Sequence, residues 1–320
     1  MSANMENSKV FRVLILGSKG MLGQALLEEF RELSGYAVTA WDKEEIDLTD
    51  FGVLEEALRK QNPNIVINAA AYNAVDDCEE DTREFEKAVV LNAKLPENLA
   101  QFSSKFGFFL VHYSTDYVFD GTLEVGQASG GCQSGACCGG NCHGSDNAGY
   151  DEEALPHPLS KYGETKLAGE GFVRGQTQNY YIIRLSKLFG RPGTSTVAKH
   201  SFFEVMLDKG KRGEVIKVVD GEKSCFTYAP DLARATRTLL EDACPSGIYH
   251  LPNEGGATWY EATQALFGLA GLTLPIEPIS PEAFSRKAKR PIFSVLLNTQ
   301  RPLLRPYTEA LRDYLGEMVQ

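Results

Sequence analysis

One stretch, Gly17-Ser18-Lys19-Gly20-Met21-Leu22-Gly23, limits what this chain can fold into more than any other. It lies between a strand-length apolar run, Val10–Leu16, and a helical pattern, Met21–Leu33. Strand, Gly-x-x-Gly-x-x-Gly and helix in the first unit form the dinucleotide-binding arrangement. Gly17 would permit the tight turn, Gly20 the approach of a pyrophosphate, and Gly23 the close packing of helix on strand. The amino end of the helix, from Met21 and Leu22 onward, supplies free N–H groups and a positive dipole end.

The rhythm that follows fits the same architecture. Ala37–Trp41 reads as a second strand, Phe51–Lys60 as a helix, Ile65–Asn68 as a third strand and Phe108–Ser114 as a fourth. Glu84–Phe106 reads as a long helix that Pro96 bends or divides. Strands separated by helices of this length indicate right-handed βαβ units, so the fold class is α/β, a Rossmann-like doubly wound parallel sheet. Residues 122–150 interrupt the pattern with a run of Gly, Ser, Asn and Cys that has no hydrophobic period, which reads as an insertion. The pattern resumes with a helix at Tyr162–Val173 and a strand at Tyr180–Leu185. After Gly190 the texture changes to helices near Phe202–Lys209, Asp231–Asp242, Trp259–Ala270 and Tyr307–Met318, with a short strand at Ile248–Leu251. The expected division is a dinucleotide-binding domain over residues 1–190 and a smaller C-terminal α/β substrate lobe over 191–320.

Composition excludes other classes. The chain has 320 residues, 43% hydrophobic and 23% charged, which is ordinary globular usage rather than that of a disordered or fibrous chain. Its formal net charge of -11 argues against a nucleic-acid binder that depends on phosphate attraction. No apolar stretch reaches the roughly 18 residues of a membrane span, and residues 1–9 lack the apolar core of a signal peptide. The expectation is a cytoplasmic protein with reduced thiols and no membrane or nucleic-acid partner.

Candidate chemistry gathers at the strand ends. Asp42, after the second strand, is placed to hydrogen-bond the adenosine ribose and repel a 2′-phosphate, which favours NADH; its neighbour Lys43 would instead attract that phosphate and favour NADPH. Asp47 and Leu48 lie where a loop flanks the adenine, and Ala69, Ala70 and Ala71 leave room for cofactor beside backbone. In Tyr162-Gly163-Glu164-Thr165-Lys166 the tyrosine and lysine share one helix face. A cation beside a phenol lowers its pKa toward the range useful in general acid–base catalysis. Thr115, at the end of the fourth strand, can donate to a substrate carbonyl and complete a hydroxyl–tyrosine–lysine set.

On these residues the chain resembles a known family. Gly17–Gly23, Asn68–Ala71, the string Ser114-Thr115-Asp116-Tyr117-Val118-Phe119-Asp120-Gly121 and Tyr162–Lys166 are similar to the extended short-chain dehydrogenases, and more narrowly to the dTDP-4-dehydrorhamnose reductase family. Ala74-Val75-Asp76, Pro158-Leu159, Phe226-Thr227-Tyr228, Asp231-Leu232-Ala233 and Arg290-Pro291 extend the resemblance over nearly the whole chain except 122–150. It implies reduction of the C4 keto group of a dTDP-linked 6-deoxy sugar by NADH or NADPH. Tyr162 would supply the proton, Lys166 would hold the nicotinamide ribose, and Thr115 would polarise the carbonyl. Val75, Asp116 and Tyr117 match positions of the sugar-nucleotide pocket. The regulatory β subunit of methionine adenosyltransferase shares the Ser-Thr-Asp-Tyr-Val-Phe string, so a regulatory subunit acting through a partner enzyme is an alternative, as is another nucleotide-sugar reductase or epimerase.

Three departures stand out. Where the family often has a substrate-contacting aromatic residue after the strand, this chain has Lys187, either a phosphate- or carboxylate-binding cation or an exposed side chain. The carboxylates that hold a metal at the dimer interface of some relatives lack clear counterparts, which leaves magnesium unsupported and a homodimer open. Finally, Cys132, Cys137, Cys138, Cys142 and His143 crowd into the insertion, a soft ligand set suited to zinc or an iron–sulfur cluster, though its spacing matches no standard knuckle.

Overall fold

The computed structural model describes residues 10–123, 148–195 and 200–318, so Cys132, Cys137, Cys138, Cys142 and His143 lie outside the described residues. Strand β1 (Phe11–Leu16) pairs in parallel with β2 (Tyr36–Trp41) on one side and β3 (Ile65–Asn68) on the other. Beyond β3 follow β4 (Phe109–Thr115), β5 (Tyr180–Leu185) and a sixth strand, Gly247–His250. Chain direction across the sheet reverses between β1 and β3, and such a switch point opens a crevice at the carboxyl ends of the strands.

The strands read as continuous apolar runs because both faces are covered. Leu14, Leu16, Val66, Leu110 and Ile182 pack on one face with Leu54 and Leu58 of α2 (Phe51–Gln61) and Leu95, Leu99 and Phe102 of α5 (Leu95–Phe106). Val13, Ile15, Ile67, Val111 and Ile183 pack on the other with Leu22, Leu26 and Phe30 of α1 (Met21–Arg31). The second core joins Phe203 and Leu207 of α7 (Phe202–Lys211), Leu266 and Phe267 of α9 (Trp259–Ala270), and Leu311 and Tyr314 of α10 (Tyr307–Glu317). No helix among the described residues is long and apolar enough to cross a membrane.

Two details differ from the sequence pattern. Residues after Gly190 do not all leave the first layer: α8 (Ala229–Glu241) packs Leu232 and Leu239 into the α1 face of the core, and Gly247–His250 extends the parallel sheet beside β5. The expected helix over Glu84–Phe106 is α4 (Thr82–Val89), a π turn at Val90–Lys94, and then α5. Pro96 sits in the first turn of α5, where its missing N–H costs no helix bond. The π turn aims Asn92 at the next loop: its amide accepts from the Tyr72 N–H at 2.9 Å and donates to the Tyr72 carbonyl at 3.0 Å and to Thr165 Oγ1 at 3.1 Å. That clamp joins the loop after β3 to α6 (Lys161–Gln176), the helix of Tyr162 and Lys166.

Candidate active-site cleft

The glycine turn is built as the spacing requires. Gly17 has φ +74°, and a Cβ there would lie 2.7 Å from the Ala70 nitrogen; a Cβ on Gly23 would fall on the Gly17 carbonyl oxygen. The Gly17 N–H donates to the Trp41 carbonyl and the Ala69 N–H to the Leu16 carbonyl, which draws the ends of β1, β2 and β3 together. Helix α1 starts behind Gly20 with no side-chain cap, so its leading N–H groups and dipole face the turn without a protein acceptor from a cap.

Asp42 is buried, and its carboxylate accepts from the Lys19 N–H and the Lys43 N–H, each at 2.9 Å. Beside it the Lys19 ammonium is held by Glu44 and Glu45 at 3.1 Å each. This rim is acidic. Asp47 accepts from the N–H and hydroxyl of Thr49, which holds its carboxyl below the usual range.

Helix α6 brings the phenol in. Ser160 caps it, accepting from the Gly163 N–H at 3.2 Å, and Gly163 lies against the Tyr117 carbonyl so closely that a Cβ would overlap it. Tyr162 and Tyr117 therefore meet edge to face at 6.0 Å. At the far end of the helix, buried Glu170 pairs with buried Arg184 of β5 at 2.7 and 2.9 Å, fixing α6 against the sheet.

The electrostatics correct one expectation. Burial, the nearby Asp116 charge and Tyr117 push the Tyr162 phenol above its ordinary value, with only a hydrogen bond to Thr115 pulling it down. Lys166 donates to the Tyr113 carbonyl at 2.6 Å instead of the phenol, and burial lowers its own pKa to about 8. Desolvation outweighs the shared helix face. Asp116, matched to a substrate position, has its carboxylate engaged by Ser186 at 2.8 Å, Ser294 at 2.6 Å and Thr115 at 3.2 Å, which ties the end of β4 to two segments distant in sequence. Burial raises its pKa above the usual carboxylate value.

One cleft of about 690 Å³ gathers the glycine turn, Asp42, Thr115, Asp116, Tyr117, Tyr162 and Lys166. Gly17, Gly20, Met21, Leu22, Gly23, Asp42, Asp47, Leu48, Ala69, Ala70 and Ala71 line one end. Val75, Thr115, Asp116, Tyr117, Tyr162, Lys166 and Lys187 line the rest. Sequence reasoning did not single out the aromatic wall of Phe202, Phe203 and Trp259 from the second core; adjacent phenylalanines and one of two tryptophans at helix starts were the available signal. The cleft suits a dinucleotide: the uncapped helix end faces it, and the buried hydroxyl of Ser114, on its wall, has no hydrogen-bond partner among the described residues. Among the described residues no group of three or more His, Cys, Asp or Glu is arranged to hold a metal ion.

A sequence family described as the RmlD substrate binding domain matches residues 11–320. The chain is 33% identical over 291 residues to a dTDP-4-dehydrorhamnose reductase of Streptomyces griseus, covering 89% of this chain and 85% of that protein. The solved structure of the Bacillus anthracis dTDP-4-dehydrorhamnose reductase in complex with NADP matches with a TM-score of 0.83 and 31% identity, over 96% of this chain and 99% of that one. The methionine adenosyltransferase 2 subunit beta of Xenopus tropicalis is 29% identical over 283 residues, covering 85% of this chain and 76% of that protein.

Proposed function

Because the chain belongs to the RmlD substrate-binding-domain family, we propose that it reduces the C4 keto group of a dTDP-4-dehydro-6-deoxy sugar with NADH or NADPH, giving dTDP-L-rhamnose. The observation that carries the reading is the meeting of Thr115 and Tyr162 in one cleft with the Gly17–Gly23 turn. When bound, the reduced nicotinamide supplies a hydride, with its electron pair, to the carbonyl carbon.

The residues of this chain do the rest. The leading N–H groups of α1 and the Gly20 backbone hold the pyrophosphate, and Asp42 faces the adenosine ribose. Thr115 donates a hydrogen bond to the substrate carbonyl, favouring the charge that builds on its oxygen. Tyr162, kept protonated by burial, gives its proton to that oxygen. An alkoxide is a far stronger base than a phenolate, so the transfer runs downhill even from a phenol of raised pKa. Lys166, fixed by the Tyr113 carbonyl, presents its remaining donors to the nicotinamide ribose and stabilises the phenolate left on Tyr162. A cytoplasmic location fits this reading, because a charged nucleotide sugar does not cross a membrane unaided.

The test is oxidation of NADH and NADPH by the purified full chain with a dTDP-4-keto-6-deoxy sugar. Turnover that depends on the sugar nucleotide supports the reading. Tight cofactor binding with no turnover would move the chain to the regulatory role that its likeness to the methionine adenosyltransferase subunit suggests.

A further inference from the structure

We propose that Lys187 reads the hydroxyl groups of the reacting sugar ring, and so sets which sugars the cleft accepts; the inference rests on the reductase reading above. Lys187 follows β5, whose Leu185 pairs in register with Thr115, and the intervening Ser186 is bonded to Asp116. The side chain therefore stands beside the reaction centre, where it lines the cleft. It is not an ordinary exposed lysine. Its ammonium lies 4.1 Å from the Trp259 ring centroid and 4.8 Å from that of Phe226.

Its backbone carries a second signal. Lys187 has φ +34°, in the left-handed region that a long side chain adopts only at a cost of order 1 kcal/mol or more. A glycine would sit there without strain, so the side chain is held by its surroundings. Those surroundings leave it underused: among the described residues the one acceptor of its ammonium is the Glu222 carbonyl, at 3.4 Å. An ammonium has three donors, and a ligand in the cleft can take the others.

The local charge balance selects the ligand. Asp116 and Glu222 both act on Lys187 with negative charge, while Arg286 opposes them. Arg286 itself pairs with Glu222. The patch is therefore close to neutral and offers little net attraction to a diphosphate. Donors set between aromatic rings suit the hydroxyls and C–H faces of a sugar ring instead.

The test titrates dTDP and dTDP-L-rhamnose separately into the full chain with NADP bound, comparing wild type with Lys187→Met and Lys187→Gly. Expected is a loss of about tenfold or more for dTDP-L-rhamnose, the scale of one charge-assisted hydrogen bond, with dTDP affinity within about twofold. Lys187→Gly should show the same split, since glycine accepts this backbone, and it carries the comparison should Lys187→Met fail to fold. Equal weakening of both ligands would assign Lys187 to the diphosphate and overturn the proposal, as would unchanged binding of both. Failure of the wild type to bind either ligand would overturn the reductase reading along with it.

Discussion

The Lys166 ammonium donates to the Tyr113 carbonyl at 2.6 Å, and this bond ties the helix of Tyr162 to the strand that ends in Thr115. The lysine thus has a positioning role before any ligand arrives. Replacing Tyr162 by Phe leaves this tie intact and removes only the phenolic hydroxyl. In Tyr162→Phe, kcat should fall by two or more orders of magnitude, in line with general-acid contributions of about 10²–10⁴. Cofactor affinity, read by fluorescence of the reduced nicotinamide, should stay within about threefold, well under the tenfold that 1.4 kcal/mol represents. Near wild-type turnover would remove Tyr162 from the chemistry.

The glycine turn separates two substitutions that look alike in sequence. A Cβ on Gly23 would overlap the Gly17 carbonyl, whereas one on Gly20 would lie 3.3 Å from the same oxygen. Gly23→Ala should destabilise the fold by about 1–3 kcal/mol as an overpacked contact does, and should abolish detectable cofactor binding. Gly20→Ala should fold nearly as well as wild type and lose affinity alone. Equal melting temperatures for all three proteins would contradict this packing.

Cofactor choice follows from the acidic rim of Asp42, Glu44 and Glu45, two of which occupy the Lys19 ammonium. A 2′-phosphate would meet these carboxylates, so kcat/KM with NADH should at least equal that with NADPH. A strong preference for NADPH would mean that Lys43, next in the chain, overrides the rim.

Two buried amines make stability depend on alkaline pH. Burial lowers Lys166 and Lys187 from the ordinary 10.5 to about 8. Below about pH 8 both amines are charged in the native and the unfolded chain, and the burial penalty is fully present. As pH rises from about 8 toward about 10, the native chain releases these protons first, so the unfolded chain binds more and stability increases. Each amine contributes at most about 1.4 kcal/mol per pH unit. Denaturant titrations across this window should show a shallower rise in Lys166→Met than in wild type; parallel slopes would contradict the buried-charge assignment.

Much of this was legible in the sequence. The apolar runs gave strands because helices cover both sheet faces, and Gly17–Gly23 carried its geometry in the glycines themselves. Less legible was what depends on contacts between distant segments. The return of Gly247–His250 to the sheet depends on its pairing with β5, which no local pattern encodes. The bonds from Asp116 to Ser186 and Ser294 span 70 and 178 residues, so its part in joining distant segments was hidden. Likewise Tyr-x-x-x-Lys placed two side chains on one face but could not reveal that burial would raise the phenol's pKa.

The most direct measurement uses NADH or NADPH with both C4 hydrogens of the nicotinamide replaced by deuterium, incubated with the full chain and a dTDP-4-keto-6-deoxy sugar. Mass spectrometry and proton NMR of the product should find one deuterium at C4 of the sugar, with Tyr162→Phe forming this product at least about 10²-fold more slowly. Oxidation of the cofactor with no label on the sugar, or no labelled product from a wild-type chain that binds both ligands, would contradict the assignment of a C4 ketoreductase.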